Sequence, residues 1–221
     1  ADCPDDPSNT VSLSIGIDAG WNWFSINVEG EDMSPNTVLA NLNPEYNDQI
    51  KSQEHFAVYI GEEYGGWSGT MEVIDPKSMY MIKISNAGNL EYAGSPINPA
   101  STPININEGW NWIGYLPQSD LLINDALGTV VAGLNDQIKS QEQFAVYIGE
   151  EYGGWSGTMV DMTAGVGYMM KVSYDSELTY PNGSDMSRMD VSFEEEKVLP
   201  SVISSWAVNP QDYEFTATMT L

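Results

Sequence analysis

The chain has 221 residues, enough for one or two domains, or for two repeats and a tail. Acidic residues outnumber basic ones 32 to 7, for a formal net charge of −25. That surplus repels nucleic-acid phosphates and anionic membrane surfaces and counts strongly against both as partners. The single cysteine, Cys3, excludes an internal disulfide and a cysteine-based metal site, and leaves an inert thiol or one that pairs with another chain.

Residues 1–10 are polar, acidic and proline-containing and read as a flexible lead-in. Val11, Leu13, Ile15 and Ile17 then alternate with small residues, the period-2 signature of a strand with one buried face. Asp18-Ala19-Gly20 supplies a turn into a second strand, on which Trp21 and Trp23 share one face, so the segment is expected to open as a β-hairpin. Ser34-Pro35 offers a cap residue followed by proline, and Val38, Leu39 and Leu42 recur at helical spacing. Phe56, Val58 and Ile60 form a third strand, Glu62 to Gly66 a glycine-containing turn, and Trp67 begins the return. Met79 to Ile84 closes the unit as a final strand.

The pattern then begins again. Gly20 to Trp23 returns as Gly109 to Trp112, 89 residues later. Asp48 to Met71 returns as Asp136 to Met159, 88 residues later, with His55 replaced by Gln143 as the one change. The stretch 125–131, capped by Asn124, fills the place of the helix, and Tyr168 to Val172 the place of the closing strand. Such self-similarity dictates the architecture before any local reading does. The expected fold is mainly β with a short helix per repeat, in the order β-β-α-β-β-β: a lead at 1–10, repeat 1 at 11–95, repeat 2 at 102–180, and a tail at 181–221. Residues 94–103, rich in Pro, Ser and Gly, divide the repeats. In the tail, Tyr213, Phe215, Ala217, Met219 and Leu221 alternate with polar residues as a further strand, which needs a partner.

Reactive chemistry finds little purchase. Glu62-Glu63 and Glu150-Glu151 are adjacent pairs at a turn, whose side chains diverge, whereas glycoside hydrolysis needs two carboxyls converging on one bond. His55 is the only histidine, and Gln replaces it where everything around is unchanged, which argues against general-base work. No phosphate-binding loop, dinucleotide fingerprint or zinc spacing is present. No cofactor is expected; Ca²⁺ has only generic acidic runs such as Asp2, Asp5 and Asp6 or Glu194 to Glu196, which read as solvated charge.

Two features point to binding or assembly. Tyr64, Trp67, Tyr152 and Trp155 flank the glycine turns, where exposed rings would stack on sugars; the competing reading puts Trp21, Trp23 and Trp67 in the core of a small domain. Regular strands at both ends, with Val11, Leu13 and Ile15 at one and Tyr213, Phe215 and Met219 at the other, suit strand exchange between subunits. The repeated block also keeps its polar residues, among them Asp48, Lys51, Ser52 and Gln53. Either the copies exchanged sequence, or this surface packs on an identical neighbour. Asn182-Gly183-Ser184 is the one glycosylation acceptor pattern.

The Gly-Trp-Asn-Trp opening and the Gly167-Tyr168-Met169-Met170-Lys171 closing motif resemble a repeat module of bacterial secreted and cell-surface proteins, over residues 11 to about 175. The first copy departs from the closing motif, with Asp75-Pro76-Lys77-Ser78-Met79 where glycines are usual. The resemblance implies a non-enzymatic extracellular or cell-surface protein that accompanies other extracellular modules, with no catalytic residues to carry over; copies of itself and glycans are the partners that the terminal strands and the hairpin aromatics suggest. Residues 206–221 resemble the opening of a further β domain.

Overall fold

The computed structural model describes residues 10–182 and is mainly β, with antiparallel pairing throughout. The first repeat contains β1 (Val11–Ile17), β2 (Gly20–Phe24), β3 (Val28–Glu29), α1 (Pro35–Val38), β4 (Gln49–Lys51), β5 (Phe56–Tyr59), β6 (Trp67–Gly69), β7 (Tyr80–Ile84) and β8 (Gly88–Pro96). The second contains β9 (Ile104–Ile106), β10 (Gly109–Ile113), β11 (Leu121–Leu122), α2 (Ile123–Ala126), β12 (Gln137–Lys139), β13 (Phe144–Tyr147), β14 (Trp155–Gly157), β15 (Asp161–Met162), β16 (Tyr168–Val172) and β17 (Ser176–Leu178). Each repeat is built on a five-stranded sheet of the same topology, β2-β7-β4-β5-β6 in one and β10-β16-β12-β13-β14 in the other.

Alternation decides which face is buried. Ile82 and Ile84 of β7, Ile50 of β4 and Ala57 of β5 point inward with Phe24, Leu39, Leu42 and Trp67. Ile138, Ala145, Met170, Val172 and Trp155 do the same in the second sheet, with Tyr115 and Tyr180 added. The helices are single turns that cover these faces. Asn36 in α1 reaches across to the hairpin: its Oδ1 accepts the Trp67 N–H (2.7 Å), and its Nδ2 donates to the Gly65 carbonyl (3.0 Å). Asn124 repeats both contacts with Trp155 (2.7 Å) and Gly153 (3.2 Å). A Cβ on Gly66 would stand 2.3 Å from the Asn36 amide oxygen, and one on Gly154 2.5 Å from that of Asn124, so glycine is needed for the helix to dock there.

Several expectations need correction. β1 and β2 do not pair as a hairpin: β1 pairs along its length with β8, and β2 with β7. The Asn22 side chain accepts the Asp18 N–H (2.9 Å) and donates to the Asp18 carbonyl (2.6 Å), bracing a corner that sends the two strands into different sheets. Asn111 braces the second corner through Asn107 in the same way. The six-element order also missed β4, which lies at the centre of its sheet, and β8, which runs to Pro96 through residues assigned to the linker. The second helix starts at Ile123, so Asn124 lies within it and is no cap. Both repeats belong to one compact unit.

Candidate functional site

Many of the contacts that join the two repeats come in reciprocal pairs; those of Ser25 and Asn27 with Tyr115, Pro117, Gln118 and Val166 are one-sided. β2 and β10 are edge strands, each with backbone groups turned away from its own sheet. The Gln141 side chain occupies the free edge of β2: its Oε1 accepts the Trp23 N–H (2.8 Å), and its Nε2 donates to the Trp21 carbonyl (3.0 Å). Gln53 does the same for β10, accepting from Trp112 N–H (2.8 Å) and donating to the Trp110 carbonyl (3.0 Å). One amide side chain thus stands in for a strand partner on each side.

The chain beyond each Trp-containing strand continues into the other repeat. Phe24 bridges Val166, and Ile113 bridges Ser78. The Ser25 N–H donates to the Gly165 carbonyl (3.1 Å), and the Gly114 N–H to the Lys77 carbonyl (2.8 Å). Each pair maps onto the other under the offsets of 88 and 89, so the junction has the reciprocity of a twofold dimer built within one chain. The symmetry breaks at its centre. Met79 is wholly buried, and its counterpart is Gly167, where a Cβ would lie 3.0 Å from Met79 Cβ and 2.7 Å from the Phe24 carbonyl oxygen.

Lysines and tryptophans line the same seam. Lys51 Nζ lies 5.1 Å from the Trp21 ring and 5.9 Å from Trp112 of the other repeat. Lys139 Nζ lies 4.9 Å from Trp110 and 5.8 Å from Trp23. Each cation is therefore held between rings of both repeats. These residues stand on the outward face of each sheet. The strand registers place Trp21, Trp23, Met81, Lys83, Gln49, Lys51, Phe56, Val58 and Ser68 on that face in the first sheet. Trp21 and Trp110 are 43% and 41% exposed, and Phe56 and Phe144 both 52%.

The hairpin aromatics proposed from sequence divide. Tyr64 and Tyr152 are exposed, but Trp67 and Trp155 are buried at 8% and 5%, edge-on to Tyr59 and Tyr147 (5.6 and 5.4 Å between ring centroids). Each indole is mostly enclosed, and the backbone N–H of its residue is held by Asn36 or Asn124. Conversely, Trp21, assigned to the core, is substantially exposed. Val11, Leu13 and Ile15 lie on β1, which pairs with β8 on one side and forms an edge of the sheet β1-β8-β3. Tyr213, Phe215, Met219 and Cys3 fall outside the described residues. Asn182 is partly exposed at the last described position.

Glu62, Glu63, Glu150 and Glu151 sit on exposed single-turn 3₁₀ segments. The His55 side chain is exposed, and its backbone N–H is what the fold uses, donating to Ser52 Oγ (3.1 Å). Gln143 makes the same backbone bond to Ser140 (3.1 Å), which explains the substitution. Among the described residues no group of three or more His, Cys, Asp or Glu is placed to hold a metal ion, and no helix is long and apolar enough to cross a membrane. The preserved polar residues have work elsewhere. Asp48 is buried, accepting from the Ser85 hydroxyl (2.6 Å) and the Glu45 N–H (2.8 Å), and Asp136 is held likewise by Ser173 (2.6 Å) and Gly133 (2.7 Å). No family model, no curated protein and no solved structure matches the chain.

Proposed function

We propose that the chain is a non-catalytic structural or adhesive unit of an extracellular or cell-surface assembly. The observation that carries this reading is the use made of the repeated polar block. Lys51, Ser52, Gln53 and Asp48, with their counterparts in the second repeat, hold backbone groups or rings in place, most of them at or beside the junction. Side chains retained for reaction would converge on a cleft; these join two modules into one unit. Small repeated modules gain stability from such mutual burial, which suits a load-bearing or display role.

In the sharper version, residues 206–221 complete the sheet of a neighbouring subunit. The test is sedimentation velocity and electron microscopy of the full chain beside a chain ending at residue 205. Concentration-dependent growth into larger species, lost on truncation, is expected. An unchanged assembly state after truncation would refute strand exchange, and a full chain monomeric at every concentration would refute self-assembly altogether.

A further inference from the structure

The outward faces of the two five-stranded sheets are alike at every position. The nine residues on the first face correspond to Trp110, Trp112, Met169, Lys171, Gln137, Lys139, Phe144, Val146 and Ser156 on the second, with no substitution. The near-identical block explains only part of this, because β2, β7, β10 and β16 lie outside it. On those strands the differences are Phe24 to Ile113, Ile82 to Met170 and Ile84 to Val172, and all of them fall on the buried face. The usual tolerance is inverted: exposed positions ordinarily accept change at little cost, and cores resist it.

The junction accounts for Lys51, Lys139, Trp23 and Trp112. It does not account for Lys83, Lys171, Gln49, Gln137, Phe56 or Phe144, whose side chains make no hydrogen bond, ion pair or ring contact across it among the described residues. Lys83 and Lys171 are exposed and have no ion pair, side-chain hydrogen bond or ring contact among the described residues. The charge is segregated too. In a chain of net charge −25, these faces carry Lys51, Lys83, Lys139 and Lys171 and no acidic residue. Exposed indoles and phenyl rings share these faces with the ammonium groups.

We propose that these paired faces bind an acidic polysaccharide, a polymer of uronic acid units. Pyranose rings present apolar C–H faces that pack on Trp and Phe, and each unit carries a carboxylate for a lysine. A repeating polymer also explains why two faces must be chemically identical, since both meet the same unit and linked sites gain avidity. A single acidic peptide would impose no such identity. The site differs from the buried Trp67 and Trp155, and it does not depend on self-assembly.

The experiment is affinity electrophoresis and calorimetry of the full chain with polygalacturonate and alginate. Dextran serves as a neutral polymer and poly-glutamate as a carboxylate chain without sugar rings. Retention by at least one uronate polymer, weakened by salt, with none by dextran, is expected. K83Q/K171Q should raise Kd at least tenfold while leaving the thermal midpoint and the sedimentation profile unchanged. No retention by either uronate overturns the proposal. So does binding to poly-glutamate of equal strength, which would assign the face to acidic protein segments, and so does uronate binding indifferent to K83Q/K171Q. None of these results bears on assembly, which the truncation reads separately.

Discussion

The pair Met79 and Gly167 tests whether the repeats are locked by a one-sided fit at their common centre. Gly167→Ala places a methyl group 3.0 Å from Met79 Cβ and 2.7 Å from the Phe24 carbonyl oxygen. Overpacking of this kind costs about 1–3 kcal/mol, offset by roughly 0.4–1 kcal/mol from the less flexible unfolded chain. Met79→Gly empties a wholly buried site. Loss of a buried Met side chain costs about 2–5 kcal/mol, and glycine in an extended segment adds about 1 kcal/mol.

The informative quantity is the coupling. With Met79 reduced to Gly, the methyl at 167 loses its contact with Met79 Cβ and keeps, of its three nearest atoms, the two of the Phe24 carbonyl. Gly167→Ala should therefore cost at least about 1 kcal/mol less in the Met79→Gly background, within the range seen for residues in contact. Urea unfolding of the two single variants, the double variant and the parent chain measures this directly. Additivity within about 0.5 kcal/mol would mean that the two positions do not sense each other, and the one-sided fit would be wrong.

Two further outcomes follow from the junction and the cores. Gln141→Ala removes two hydrogen bonds of 2.8 and 3.0 Å and should cost about 1–3 kcal/mol while baring the edge of β2; light scattering should then rise with concentration, and an unchanged unfolding midpoint with no added scattering would refute the edge-cap role. Burial raises the phenols of Tyr80, Tyr115 and Tyr180, and pushes Tyr168 up to about 12. Because the folded state holds these protons more tightly than the unfolded chain, their stabilisation is complete below about pH 10 and falls as pH rises, by about 1.4 kcal/mol per pH unit for each group, or about 5.5 for the four together. Tyrosinate absorbance should show these four of the twelve tyrosines ionising only as the fold is lost; reversible titration of all twelve near pH 10 with native ellipticity retained would contradict it.

Much of the fold is legible because its signals are local. The alternation of Val11 to Ile17, the Trp-Asn-Trp strands and the Phe56-to-Trp67 hairpin all emerge where patterning puts them. What escapes is set by distant partners. β4 is three residues long with one buried side chain, too short for a period, yet it is central once β5 and β7 flank it. The first two strands look like a hairpin because a turn joins them, but past the corner braced by Asn22 β1 pairs with the distant β8 and β2 with β7. At the site, the offset alone could have found Asn36 and Asn124, since both are Asn 88 residues apart in helices that otherwise differ. Gln53 and Gln141 were visible as retained residues, but their partners lie 59 and 118 residues away and no local pattern names them.

The unequal offsets gain a physical meaning from the junction. Ser25 corresponds to Gly114 at 89 residues, and Asn36 to Asn124 at 88, so the repeats differ by one residue between those landmarks. That interval is also where their pairing differs: β3 joins β8 in the first repeat, and the short strand before α2, β11, joins β15 in the second. On either side of it the backbone contacts across the junction match pair for pair, except that the Met79 N–H donates to the Trp112 carbonyl (3.5 Å) without a counterpart from Gly167. A length change was thus accommodated where neither repeat touches its counterpart reciprocally, and the segments that do touch kept their register. Identity between the copies therefore follows what each copy meets outside its own core: the other repeat along the seam and, on the proposal above, one polymer across both faces.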